Sequence, residues 1–284
     1  MNFEKYLPEN LCSWLDCNAK NASDITIVAD NNMFVSVNGI NIKSPYWVSK
    51  HQLVQIVEKI CNGSIYANQN TLKYGYITDE NGCRIGVCGT CVYDENGKAA
   101  FLRDVSAINI RIARDVVGAA NSVMRYIYDG QTVYNTLIVS PPSCGKTTML
   151  RDVARNLGSI LRVGIVDERY EILIGQTLGK YAFAIKGCTK HDGILMMLRS
   201  MSPQVVLTDE IGTTSDEEAI VKLINAGVKI ICTAHGYNEK DVQRRKAIAS
   251  LIEDNVFERI IVLSARNAPG TVEKIVCRKE EKHD

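Results

Sequence analysis

"TLIVSPPSCGKTTMLRD", residues Thr136 to Asp152, sets a Gly-Lys-Thr between an apolar run and a helix-like stretch. A phosphate-cradling P-loop of the form G-x-x-x-x-G-K-[ST] ends this way. The first glycine of that pattern is absent, because Ser140 stands in its place. Such a loop works by pointing backbone N–H groups inward at phosphates, while the following helix adds its positive end. Lys146 would reach the β- and γ-phosphate oxygens, and the Thr147 hydroxyl would ligate Mg²⁺. Gly145 is the critical glycine, since a side chain there would meet the phosphate. The first glycine mainly permits a sharp exit from the strand, and serine is its mildest replacement. Pro141 and Pro142 stiffen the turn. Alone, the match also fits a helix cap with a chance Gly-Lys-Thr, but its strand–loop–helix setting meets the context the motif requires.

Three more strand ends point the same way. "PQVVLTDEIG" (Pro203–Gly212) is an apolar strand ending in Asp209 and Glu210. An acid there can hold the water shell of Mg²⁺, and a glutamate just after it can polarise an attacking water. "GIVDERYEI" (Gly164–Ile172) ends in Asp167 and Glu168 with Glu171 close behind, and "ICTAHG" (Ile231–Gly236) delivers His235. In a parallel sheet these side chains collect at the C-terminal edge, where ligands bind.

The surrounding pattern supports such a sheet. Short apolar strands are expected at Thr136–Val139, Val163–Val166, Val205–Thr208, Val228–Thr233 and Arg259–Leu263. Between them lie helical patterns at Thr147–Leu157, closed by Gly158, then Asp192–Met201, Asp216–Asn225, closed by Gly227, and Asp241–Glu253. Strands alternating with helices imply a mostly parallel sheet covered on both faces.

Before Thr136 the reading is antiparallel strands around one helix. Asp24–Ala29 and Met33–Ile42 alternate as half-buried strands do. Ser49–Cys61 reads as a helix with a Ser49/Gln52 capping box, an apolar face of Leu53, Ile56, Val57 and Ile60, and a stop at Gly63. Asn81-Gly82 and Asn96-Gly97 are hairpin signals. Ala107–Asp115 looks like the last strand, and Val116–Tyr128 like a helix leading onward. The expected organisation is therefore an α+β domain over residues 1–115 and an α/β ATPase domain over residues 116–284.

Composition sets the class. The chain has 284 residues, 46% of them hydrophobic and 23% charged, with a formal net charge of +1. That is a globular balance, with no global field drawing it to nucleic acid or anionic lipid. The N-terminus lacks a signal-peptide core and no stretch reaches the length of a membrane span. Ten cysteines without an export signal suggest reduced thiols and a cytoplasmic protein. Cys88-Gly89-Thr90-Cys91, near Cys83, spells C-x-x-C, yet no second ligand pair follows. Packing thiols are the simpler reading. Cys144 is expected as an exposed, inert loop thiol, and Val242–Ala247 (VQRRKA) as a solvated helix face.

With these motifs together, "PPSCGKTTMLRD", "VDERYEI", "GILMMLRSMSPQVVLTDEIG", "INAGVKIICTAHG" and "VFERIIVLSAR" resemble the stage III sporulation protein AA family. "CNGSIYANQNTLKYGYIT", "GCRIGVCG" and "AINIRIARD" resemble its N-terminal domain, so the likeness covers most of residues 25–275. That family is a branch of the secretion-superfamily ATPases, beside the type II, type IV and pilus motors. The resemblance implies a RecA-like P-loop ATPase domain with a parallel-rich sheet, preceded by a small α+β domain, in a hexameric ring that binds ATP and Mg²⁺. It implies phosphate contacts from residues 140–148, namely Ser140, Pro141, Pro142, Ser143, Cys144, Gly145, Lys146, Thr147 and Thr148. Asp209 and Glu210 would be the Walker B pair, with Thr147 and Asp209 at the metal. Asp167, Glu168 and Glu171 match the acidic box, His235 the histidine box, and Arg84, Arg111 and Arg114 the basic positions near the domain junction. Family P-loops read G-P-P-G-C-G-K-T, so Ser140 and Ser143 each replace a glycine. The implied setting is the mother-cell cytoplasm, where the protein would energise a channel complex of membrane proteins facing the forespore, with no nucleic acid.

Two other functions fit the same motifs. A nucleic-acid motor would show nucleic-acid-stimulated turnover. A nucleotide-gated scaffold would assemble on ATP with little hydrolysis, and the two serines keep that reading open.

Overall fold

The computed structural model describes residues 4–18, 22–37, 40–61, 63–64, 69–78, 84–112, 116–173 and 178–278. The chain divides into two units, Met1–Arg114 and Asp115–Asp284.

In the first unit, α1 (Glu9–Asn18) precedes β1 (Ala22–Val28), β2 (Asn31–Val37) and β3 (Ile40–Val48). Then come α2 (Lys50–Ile60), α3 (Gln69–Leu72), β4 (Tyr76–Thr78), β5 (Arg84–Tyr93) and β6 (Ala99–Arg111). The sheet order is β3-β2-β1-β6-β5-β4, with every pair antiparallel. The Ser49 capping box forms as the sequence predicts, and Leu53, Ile56, Val57 and Ile60 are all buried. Gly63 takes the left-handed φ of 78° just past the helix.

The expected strand Met33–Ile42 is instead two strands. β2 and β3 pair antiparallel, Val37 with Ile40, and Asn38-Gly39 between them lies outside the described residues. The Asn96-Gly97 hairpin joins β5 to β6, with Gly97 at φ 72°. The Asn81-Gly82 signal, Cys83 and residues 279–284 lie outside the described residues.

In the second unit, the expected helix Val116–Tyr128 is largely turns, with only α4 (Met124–Ile127) helical. Gly118 at φ 87° breaks the helical run, and bonds such as Asn121 N to Gly118 O (3.1 Å) close the chain three residues back. The unit continues through β7 (Thr136–Ser140), α5 (Lys146–Gly158), β8 (Val163–Asp167), β9 (Ala182–Lys186), α6 (Lys190–Ser200) and β10 (Val205–Thr208). It closes with α7 (Thr214–Asn225), β11 (Lys229–His235), α8 (Glu239–Val242), α9 (Lys246–Glu253), β12 (Arg259–Ser264) and β13 (Thr271–Cys277).

The sheet order is β13-β12-β7-β11-β10-β8-β9. All neighbours are parallel except β12 and β13. β7, which leads into the Gly-Lys-Thr loop, is buried along its whole length. Ile138 joins the core under α5, while Leu137 and Val139 join the core under α6, α7 and α9. A strand covered on both faces must be apolar throughout, and this explains the unbroken run at Leu137–Val139.

The single helix expected over Asp241–Glu253 is broken at Arg245, whose φ of −94° and ψ of 115° are extended. The basic run Val242–Ala247 therefore sits at the junction of α8 and α9 and not on one helix face. Among the described residues, no helix is long and apolar enough to cross a membrane.

Candidate functional site: a phosphate loop and the acids facing it

β7 is paired on one side with β11 and on the other with β12. The loop it feeds, residues 141–145, turns into α5, whose first backbone bond is Met149 N to Gly145 O (2.9 Å). The N–H groups of Lys146, Thr147 and Thr148 lie ahead of that bond and have no intrahelical partner, as at every helix start. Gly145 has φ 86°, and Ser143 has φ 60°. A Cβ on Gly145 would lie 3.0 Å from the backbone nitrogen of Gly270. Gly270 N in turn donates to Cys144 O (2.9 Å), so the turn before β13 rests on the loop. Cys144 is buried, which corrects the expectation of an exposed thiol. Ser140 is buried, and its hydroxyl donates to Pro141 O (2.9 Å). Lys146 Nζ donates to the carbonyls of Ser140 (3.1 Å) and Pro141 (3.3 Å). Its amine thus lies folded back over the mouth of the loop.

β10 brings its acids to the same edge. Thr147 Oγ1 donates to Asp209 Oδ2 at 2.7 Å, joining two residues 62 positions apart. The other oxygen of Asp209 accepts from the Thr233 hydroxyl, and Thr233 Oγ1 accepts from Glu210 N (2.8 Å). Thr233, on β11 between β7 and β10, thus orients both Walker B candidates. Glu210 itself is held at φ 52°. His235 ends β11 in register with Ser140, placing it beside the start of the loop.

The acidic box separates into three duties. Asp167 is buried, and its carboxylate accepts from the N–H groups of Glu171 (2.8 Å), Ile172 (3.0 Å) and Leu173 (2.9 Å). It anchors a turn. Burial pushes its carboxyl up, against the pull of those three donors. Glu168 pairs with Lys190 at the start of α6. Burial, and then the Asp209 charge, push the Glu171 carboxyl up; the Arg169 cation pulls against the rise and Glu210 adds to it. Asp167 and Glu171 both feel the Asp209 charge, and Glu171 feels that of Glu210 as well.

Pro142 and Ser143 are exposed, and Pro141 and Thr148 half-buried. Arg111 ends β6, is exposed, and lies 3.9 Å from Asp24. Arg84 opens β5, and Arg114 lies outside the described residues. Cys88 and Cys91 are free thiols on β5, and no cluster of three metal-ligating side chains occurs among the described residues.

Sequence reasoning passed over Arg169, Arg151 and Thr233. Arg169 Nη1 donates to Glu210 Oε2. Arg151, on α5, donates through Nε to Ile172 O (2.9 Å) and through Nη2 to Glu171 O (2.6 Å). A cation inside a run of acids, as in "VDERYE", was the available signal for Arg169. Thr233 carried none, since a threonine in a strand is ordinary.

The donor set suits the groups that the motifs imply. A hydroxyl and a carboxylate in contact are hard oxygen donors of the kind Mg²⁺ takes, and a lysine with free helix N–H groups suits a polyphosphate.

Comparison with known proteins identifies the family and the fold. The sequence model of the family described as "Sporulation stage III, protein AA" matches residues 20–283. Stage III sporulation protein AA of Bacillus subtilis (strain 168) is 40% identical over 233 residues, covering 78% of this chain and 75% of that protein. Among solved structures, the Legionella pneumophila ATPase DotB is similar with a TM-score of 0.63 at 17% identity, covering 90% of this chain and 76% of its own. The pilus retraction motor PilT, solved with bound ADP, has a TM-score of 0.59 at 14% identity over 89% of this chain and 76% of its own. At such identities the likeness is one of fold: an α/β, RecA-like arrangement shared with secretion-type P-loop ATPases.

Proposed function

The chain belongs to the sporulation stage III protein AA family, and from that premise we propose that it is a Mg²⁺-dependent ATP hydrolase of the secretion-motor type. The observation that carries the reading is the 2.7 Å contact between Thr147 Oγ1 and Asp209 Oδ2. Those are the two side chains that a P-loop hydrolase needs at one metal, one from the start of α5 and the other from the end of β10.

Mg²⁺, when bound by Thr147 and Asp209, would draw charge from the β- and γ-phosphate oxygens. The chain's own groups do the rest. N–H groups at the start of α5 cradle the phosphates, and Lys146 exchanges the Ser140 and Pro141 carbonyls for phosphate oxygens. Glu210 takes a proton from the water that attacks the γ-phosphorus in line; the new P–O bond forms as the bond to the bridging oxygen breaks, leaving ADP and phosphate. Glu171 lies within electrostatic reach of Glu210 and assists the acidic edge. His235, in register with Ser140, contacts the γ-phosphate side. Arg84, Arg111 and Arg114 are proposed as further phosphate contacts. The working form is a homo-hexameric ring on the mother-cell side, energising assembly of, or transport through, a sporulation channel complex by way of its membrane proteins. Family membership supports that setting, and the likeness in fold to DotB and PilT supports the motor.

A scaffold ring with little turnover is the second reading, favoured by one observation: Ser143 occupies a left-handed backbone where the family has glycine. Phosphate release from Mg-ATP decides between them, with wild type compared against Lys146→Ala and Glu210→Gln in samples of known oligomeric state. The hydrolase predicts release that Lys146→Ala abolishes and that Glu210→Gln blocks by about 10²-fold or more while nucleotide binding persists. Wild type releasing no more than Lys146→Ala would hand the function to the scaffold.

A further inference from the structure

Glu210 is engaged by a residue to which the sequence motifs assign no role. Arg169 Nη1 donates to its Oε2, an ion pair with both side chains part-exposed. The turn that carries Arg169 is held from three directions. Asp167 accepts the N–H groups of Glu171, Ile172 and Leu173. Arg151 ties the carbonyls of Glu171 and Ile172 to the P-loop helix α5. Tyr170, at φ 59°, packs its ring over Gly187, where a Cβ would come within 2.3 Å of the Tyr170 hydroxyl. Across the crevice, Glu210 is also left-handed, at φ 52°, with its N–H on Thr233 Oγ1 (2.8 Å). The left-handed residues are Glu210 itself and Tyr170, the neighbour of Arg169. Strain of this sort persists only where the surroundings over-determine it.

We infer that Arg169 is a positioning residue that latches Glu210 away from the attacking water, and that hydrolysis proceeds when this pair parts. The inference rests on the hydrolase reading above. With Oε2 on the guanidinium, the Glu210 carboxylate is held in one orientation and is not free to turn toward the attacking water. Release has a route in the fold, because the Arg169 turn is fastened to α5 by Arg151. A shift of the P-loop helix as phosphates bind would carry the turn with it.

The test compares kcat and KM for Mg-ATP in wild type, Arg169→Gln, Arg169→Lys, Glu210→Gln and the Arg169→Gln/Glu210→Gln double variant. An ion pair this exposed can hold back turnover by about three- to five-fold. The expected result is that rise in kcat for Arg169→Gln, with KM unchanged, and a smaller rise for Arg169→Lys, which keeps the charge but not the fork. The double variant falls to the Glu210→Gln level, because the effect acts through Glu210. A role in supporting the fold alone would lower kcat and melting temperature together. An unchanged or lowered kcat in Arg169→Gln, with wild type active, overturns the latch and leaves the hydrolase standing. Wild type and Arg169→Gln both no faster than Lys146→Ala would remove both. If Arg169→Gln does not fold, salt serves instead: screening the pair should raise wild-type kcat at saturating Mg-ATP, and no rise overturns the latch.

Discussion

Ser143 and Ser140 both replace family glycines, yet the backbone treats them differently. Ser143 has φ 60°, whereas Ser140 is a buried strand residue that does not fall among the left-handed ones. A side chain held in the left-handed region costs about 1–2 kcal/mol. Glycine returns roughly 0.5–1 kcal/mol of that through its freer unfolded chain. Ser143→Gly should therefore stabilise the protein by up to about 1 kcal/mol. Ser140→Gly relieves no such strain, loses the hydroxyl bond to Pro141 O, and should destabilise by a similar amount. Urea midpoints of the two variants check this; shifts of the same sign would mean that φ is not what separates the serines. The sequence named both substitutions but could not rank them, because φ is a property of the folded loop. Burial of Cys144 escaped it for the same reason: the turn that covers the loop, at Pro269 and Gly270, lies over a hundred residues downstream.

Elements were legible where local chemistry decides them. The capping box at Ser49 and the apolar face of α2 follow from residues within one helix, and so does the left-handed Gly227 after α7. They were illegible where a distant contact decides. Gly158 reads as a helix stop, but it is the last helical residue of α5, and its φ is not left-handed. Its use is close approach: a Cβ there would sit 2.3 Å from Leu178 O and 2.8 Å from the Ala182 Cβ. Gly158→Ala puts two magnitudes in opposition. Alanine gains about 0.8–1 kcal/mol of helix propensity over glycine. Forcing a methyl into packed backbone costs about 1–3 kcal/mol. A carbonyl oxygen at that range cannot swing aside as a side chain tip would, so the clash wins and the variant should melt below wild type. A higher melting temperature would show that Gly158 only ends the helix. β9 and β13 were overlooked because each is a sheet edge, exposed along part of its length and so without a long apolar run. An edge strand is specified by its neighbour as much as by its own sequence.

Over the whole molecule, the expectation of a mostly parallel sheet holds, but strand order is written nowhere in a linear pattern. Placing β11 between β7 and β10 is what lets Thr233 reach Asp209 and Glu210 at once. The same order gathers Asp167, Glu171, Asp209 and Glu210 at one sheet edge, in a chain whose formal net charge is only +1. Such an edge stores repulsion that the fold must hold down. Glu171 records it: burial, then the charge on Asp209, raise its carboxyl above the ordinary value. A carboxyl raised on folding binds its proton more tightly in the folded chain than in the unfolded one. Its contribution to stability is whole below the ordinary carboxylate range and is lost as pH rises through the folded value. At neutral pH the ionised Glu171 is therefore a standing cost, one that glutamine, of the same shape and without charge, does not carry. Glu171→Gln should raise the urea midpoint at pH 7, and the gain should close as pH falls toward 4. An equal gain at both pH values would trace it to packing. No gain at pH 7 would mean that the acids at this edge are already compensated, and that the edge has no electrostatic need of a cation.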